Sequence, residues 1–197
     1  IPFPRGYQII FALGFIGAMM SAYHLWFIKP IEVTTQLEPI RAKVKVPLIR
    51  FDVLKGSYGK ITLLLFVFHL MQYLPIPLFP VYQVNELHFT DNIISAGLAI
   101  FFLFVFLGST QLARLTDRLG NHLLVSIGAV MLSLYPGLMA FSVRVELLML
   151  ASLLGGVGWS MIGGALFNFL LEKAPENDRP VYLAWYTISF NAAVLIG

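Results

Sequence analysis

The sequence predicts an all-α membrane protein, a polytopic bundle of about six transmembrane helices. Of its 197 residues, 58% are hydrophobic and only 12% are charged, about half the charged share of a soluble domain. Long apolar runs alternate with short charged turns, and each run approaches the roughly 20 residues that a helix needs to cross the bilayer. The mean hydropathy is +0.82. A net charge of +3 in so apolar a chain indicates membrane orientation, and no nucleic-acid partner is expected.

Catalytic and metal-binding chemistry finds little support in the sequence. The chain contains no cysteine, which excludes disulfides, thiolate metal sites and a cysteine nucleophile. It also lacks a His-Glu-x-x-His motif, a Gly-x-Ser-x-Gly motif and a carboxylate pair within an apolar run. We therefore expect no enzyme, no cofactor and no metal site. Because the chain begins at Ile1 and stops within an apolar run, we also expect an internal fragment of a longer protein.

The first span is expected from Tyr7 to Ile28, with Trp26 and Lys29 as interfacial anchors. Residues 29–59 then carry six basic residues and three prolines but no membrane-length run, so they predict a linker. Within this linker, RAKVKVPLIRF alternates basic and apolar residues. Such a stretch suits either contact with anionic headgroups or a loop without a lipid role.

The second span is expected from Lys60 to about Tyr82 and to be irregular near its end. Pro75, Pro77 and Pro80 each remove a backbone donor there. Thr90 or Asp91 is a candidate cap for the third helix. The remaining spans are expected at residues 90–113, 123–141, 147–171 and from 181 onward.

The positive-inside rule provides a test of this six-span layout, because the span assignment did not use it. With six spans, the turns alternate between the two sides of the membrane, and only Arg5 and Arg144 fall on the less basic side. The positive-inside rule places the linker and the other basic turns in the cytoplasm. The residues on that side are Lys29, Arg41, Lys43, Lys45, Arg50, Lys55, Lys60, Arg114, Arg118, Lys173 and Arg179.

The stretch 108–122 is expected to be a short charged loop between the third and fourth spans. Its core, Leu115-Thr116-Asp117-Arg118-Leu119-Gly120, resembles the loop signature of the major facilitator superfamily of transporters. That resemblance implies a twelve-helix fold in two six-helix halves. Residues 1–28 would then be the last helix of the N-terminal half, 29–59 the cytoplasmic linker, and 60–197 the first five helices of the C-terminal half.

A second motif lies after the fifth span, where six residues separate Glu172 from Arg179. It resembles the Glu-x6-Arg element of sugar-porter-like members of the family. Together the two motifs imply a cytoplasmic charge-network gate, with Asp117 pairing with Arg179, and Arg118 or Arg114 with Glu172. The alternative is ordinary solvated turn charges. The gate candidates are Arg114, Asp117, Arg118, Gly120, Glu172 and Arg179.

Candidate substrate contacts lie within the spans, which carry no charged residue away from their ends. Spacings of three and four place His69, Gln72 and Tyr73 near one helical face, just before the proline-rich segment. Hydrogen bonding between helices is the alternative role for these three side chains. Trp159 and Asn168 are weaker candidates. Glycines beside them in the fifth span predict close helix packing, or else helices that bend or slide as a transporter changes state.

A secondary transporter that works by alternating access in the plasma membrane accounts for these features best. Its partners would be the lipid bilayer and a small, neutral or amphipathic solute, with proton coupling left open. The alternative is a non-transporting receptor or scaffold built on the same helices.

Overall fold

The computed structural model describes residues 5–27, 50–141 and 144–197, and these are helical or in turns, with no strand among them. The chain divides into two units, Ile1–Val46 and Pro47–Gly197. In the first unit, helix α1 spans Arg5–Trp26, close to the predicted first span, whose last residue, Ile28, lies outside the described residues. Large apolar side chains on α1, such as Phe11 and Phe15, are exposed.

The second unit begins with a structured turn where only linker was predicted. Phe51–Leu54 form a 3-10 helix, and Val53 within it is buried because it packs into the same apolar cluster as Tyr58. Helix α2 then spans Ser57–Tyr73, so it starts three residues before Lys60. Residues 29–49 of the predicted linker lie outside the described residues.

The proline-rich segment interrupts the second span as predicted. Residues 74–77 form a turn, and helix α3 continues over Leu78–Asn85. Pro80 lies in the first turn of α3, where a missing backbone donor costs little because that donor has no helical acceptor. The two helices follow one another as a bent apolar stretch of membrane length, Ser57–Asn85.

The predicted loop at 108–122 is reduced to a turn at Gly120, because the helices on both sides continue up to that residue. Helix α4 spans Asp91–Ala140, and Gly120 alone has non-helical angles within it (φ 74°, ψ 160°). Both arms of α4 pack along α5, which spans Val145–Lys173. Along residues 91–119, later residues of α4 contact later residues of α5, so this arm runs parallel to α5. Along residues 121–140 the order is reversed, so the second arm runs antiparallel to α5. The helix therefore folds back on itself at a single glycine.

Thr90 is the residue that precedes α4, but its side chain makes no capping hydrogen bond, so the predicted side-chain cap is not formed. At the other end, α5 leads through a 3-10 turn, Glu176–Asp178, into α6, which spans Arg179–Ile196. Residues 142 and 143 of the turn before α5 lie outside the described residues.

Three helical stretches among the described residues are long and apolar enough to cross a membrane: Ser57–Asn85, Asp91–Ala140 and Val145–Lys173. These stretches carry exposed large apolar side chains such as Leu64 and Phe106. The predicted fold class, a bundle of membrane-spanning helices, is confirmed.

Candidate functional site

A cavity of about 460 Å³ lies between the α2–α3 segment on one side and α4 with α5 on the other. Aromatic, amide and aliphatic side chains line it, and none of them is charged. The wall residues that carry an aromatic ring or a polar side chain are Gln72, Tyr73, Phe79, Gln83, Phe101, Phe102, Tyr135, Ser152 and Trp159. Such a wall can stack on flat solutes and offer a few hydrogen bonds, but it provides no fixed counter-ion.

Three of the predicted cavity residues, Gln72, Tyr73 and Trp159, lie in this wall. His69 does not. It is buried because its ring packs against Phe190 of α6 at a centroid distance of 4.9 Å. Its Nδ1 lies 2.7 Å from the carbonyl oxygen of Leu65. His69 thus packs its ring in the α2–α6 interface but keeps its hydrogen bond within α2, so it makes neither the cavity contact nor the hydrogen bond between helices. Asn168 is an exposed residue of α5 and does not line the cavity.

Sequence reasoning missed Gln83 and Tyr135. Gln83 is only 5% exposed, and it lines the cavity together with Tyr135. Gln83 follows Gln72 by eleven residues, about three helical turns, so a polar residue on the same face was visible in the sequence. The prolines between the two glutamines interrupt the helix, so the sequence alone did not show that both side chains lie on one face. Tyr135 lies in the second arm of α4, and its position in the wall depends on the hairpin at Gly120.

Glycines hold the opposite wall of the cavity together. A Cβ placed on Gly158 would lie 2.6 Å from the backbone nitrogen of Leu132, and one on Gly156 would meet the backbone of Phe101. The close helix packing predicted for the fifth span is therefore present at these positions. It is absent at Gly163, where a Cβ would have no neighbour within 4 Å.

The gate candidates gather at one end of the bundle, because the hairpin turn of α4 lies beside the end of α5. There Asn121 donates a hydrogen bond of 2.6 Å to the carboxylate of Glu172. Arg114, Asp117 and Arg118 are exposed on the helix before the turn, as is Gly120 in the turn itself. The hairpin thus places Glu172 against a neutral amide.

The two expected ion pairs are not formed in this structure. Neither Asp117 with Arg179 nor an arginine with Glu172 is among the ion pairs of the described residues. Arg179 instead lies 3.7 Å from Glu176, one turn earlier. Because α4 continues as a helix through Asp117, the carboxylate lies on an exposed helix surface. The predicted pairing with Arg179 assumed that Asp117 lies in a loop.

An unpredicted ion-pair centre lies next to these residues, at Arg50. Its guanidinium donates to Asp178 at 2.7 Å and to Asp52 at 2.8 Å. These bonds hold the pKa of Arg50 well above its ordinary value, and the Arg50 hydrogen bond lowers the pKa of Asp52. Within the described residues no group of His, Asp and Glu could hold a metal ion.

Comparison with known proteins gives consistent matches. The Major Facilitator Superfamily profile matches residues 61–197. Multidrug resistance protein 1 of Bacillus subtilis (strain 168) is 26% identical over 124 residues, 63% of this chain and 32% of that protein. Quinolone resistance protein NorA of Staphylococcus aureus is 24% identical over the same shares. The chain thus spans about a third of the length of these relatives. No solved structure gives a significant match.

Proposed function

This chain belongs to the major facilitator superfamily, and on that premise we propose that it is part of a secondary active transporter. The transporter would move a small solute across the plasma membrane by alternating access. The cavity of about 460 Å³ is the observation that carries this proposal, because its size and its concave apolar wall are those of a small-molecule site.

The solute is proposed to be lipophilic and flat, and neutral or singly cationic. Aromatic rings from four helices line the cavity, among them Tyr73 of α2, Phe79 of α3, Phe102 of α4 and Trp159 of α5. Ring faces attract flat apolar groups and cations, whereas an anion would find no partner of opposite charge. The names of the two relatives, which refer to multidrug and quinolone resistance, support the same class of compound.

One pair of variants tests the cavity directly. Phe102 lines it and Phe106, one turn further along the same helix, does not; both rings are exposed. We expect Phe102→Ala in the whole protein to raise the KM for a lipophilic solute about tenfold, the loss of one good stacking contact. Phe106→Ala should leave it unchanged. Equal effects of both variants on proteoliposome uptake would contradict a binding role for this cavity.

The charged end is proposed as the cytoplasmic gate, with Arg114, Asp117, Arg118, Glu172 and Arg179 exchanging partners as the transporter changes state. Gly120 would set the turn that presents them. Their common location and exposure support this. The pairings seen here would then be one arrangement of the network, since exposed charges exchange partners at low cost.

Asp117→Asn tests the gate, with Asp91→Asn as its control. Both carboxylates are exposed and lie on α4, and each substitution removes one negative charge. We expect Asp117→Asn to reduce flux about tenfold or more, as loss of a charge-assisted bond does, and Asp91→Asn to leave it unchanged. Uptake is measured with and without an imposed pH gradient, which also tests proton coupling. Undiminished flux in Asp117→Asn would refute the gate.

A further inference from the structure

Arg50 lies where the segment before α2 meets the start of α6, and four contacts converge there. Besides the bonds to Asp178 and Asp52, the backbone oxygen of Arg50 accepts a 2.8 Å hydrogen bond from Trp185 Nε1. The ring of Phe51 packs against Trp185 at 5.2 Å. The Arg50 side chain is only 23% exposed. These contacts join residues more than 120 positions apart, and the low exposure of Arg50 distinguishes them from an ion pair on an open surface.

The contact continues into the helices on both sides. Tyr58, in the first turn of α2, donates a 2.7 Å hydrogen bond to the carbonyl oxygen of Tyr182, in the first turn of α6. Their rings also meet edge to face at 4.5 Å. Because Val53 is buried in the same apolar cluster as Tyr58, and Tyr182 packs against that cluster, a displacement of residues 50–54 must either carry the start of α6 with it or break these bonds.

Asp178 is used for this contact and not for helix capping. It is the N-cap residue of α6, yet its side chain makes no capping hydrogen bond, although aspartate at this position normally bonds to the first backbone N–H groups. Its carboxylate accepts from Arg50 instead. The next residue is Arg179, and among the described residues its side chain forms an ion pair with Glu176, at 3.7 Å.

We propose that Arg50 is a positioning residue of the gate: it anchors the end of the linker to Asp178 and thereby sets the position of Arg179 at the start of α6. The anchor makes the α5–α6 turn follow the linker when the transporter changes state. This inference rests on the proposed gate but adds a residue that neither loop motif contains.

Charge exchange in the whole protein tests the anchor. We expect Arg50→Asp and Asp178→Arg each to lower the maximal flux per folded protein about tenfold, the effect of losing a charge-assisted hydrogen bond, with KM unchanged. The double variant, which restores an opposite pair, should recover most of the flux. Lys55→Asp is the control, because it reverses a charge on an exposed residue of the same segment. Wild-type flux in Arg50→Asp, or no recovery in the double variant, would overturn the anchor.

A spin label at position 55, introduced by Lys55→Cys, reads the anchor without any transport. The label should be more mobile in Asp178→Arg than in the unaltered background. Adding Arg50→Asp should lower its mobility again to the value of the unaltered background. Equal mobility in all three proteins would overturn the anchor. If the double variant regains the low mobility of the unaltered background but the whole protein transports no solute, the anchor is retained and the proposed function is refuted.

Discussion

Two helix interfaces of the second unit are built on opposite principles. Between α4 and α5, glycines bring backbones together: Gly158 lies against the backbone of Leu132 and Gly128. Between α2 and α6, large side chains fill the space, with the ring of His69 packed edge to face against Phe190. Backbone atoms in contact cannot move aside, whereas aromatic side chains can change rotamer and contact other residues.

The cavity lies where these two kinds of packing meet. Its α4–α5 wall is the glycine-packed one, and its α2–α3 wall belongs to the side that packs through rings. In a transporter that alternates between two states, we therefore expect α4 and α5 to move as one body. The α2–α3 segment, already bent at Pro75 and Pro77, is then expected to change shape against them.

The largest effect is expected from filling the glycine interface. Gly158→Ala places a Cβ 2.6 Å from the nitrogen of Leu132 and 2.8 Å from the oxygen of Gly128, and backbone atoms cannot turn aside as a side chain can. We expect a loss of about 3 kcal/mol in the free energy of unfolding, the upper end for overpacking. The thermal unfolding midpoint of the whole protein in detergent measures it.

Gly163→Ala is the matched control on the same helix. Its Cβ would meet no atom within 4 Å, so the variant should be neutral or gain up to about 1 kcal/mol from the better helix propensity of alanine. A similar loss in both variants would mean that helix flexibility, and not backbone contact, explains the glycines of α5.

A smaller loss is expected at the hairpin of α4. Gly120 has φ 74° and ψ 160°, a region that is essentially confined to glycine, and a Cβ there would meet nothing within 4 Å. Gly120→Ala should therefore cost about 2 kcal/mol through backbone strain alone. An unchanged unfolding midpoint would show that the two arms of α4 tolerate another turn geometry and that their register is set by α5.

This glycine also shows what the sequence could and could not predict. The charges at Arg114 and Asp117 predicted a loop because the helix was assumed to end where the chain leaves the hydrocarbon layer of the membrane. The arm over residues 91–119 is about 44 Å long at 1.5 Å per residue and extends beyond the roughly 30 Å apolar layer. Polar residues do not end a helix outside the membrane; a backbone that leaves helical angles does.

Span positions and the proline bend were predictable because each depends on local composition. The Arg50–Asp178 pair was not, because it joins two loop segments whose proximity is decided by the packing of α2 on α6. The same holds for His69: its spacing from Gln72 placed it near the cavity face, but the rings available on α6 turned it into an interface residue.

The smallest effect tests the ring-packed interface. His69→Phe keeps an aromatic ring against Phe190 and loses only the 2.7 Å Nδ1 contact to Leu65, so we expect a loss of about 1 kcal/mol in unfolding free energy. His24 is the control, because its Nδ1 makes the same 2.7 Å contact to the carbonyl of Met20 on an exposed part of α1; His24→Phe should have no effect. If His69→Phe instead costs as much as Gly158→Ala, the α2–α6 interface is as fixed as α4–α5, and the mobile boundary of the cavity must lie elsewhere.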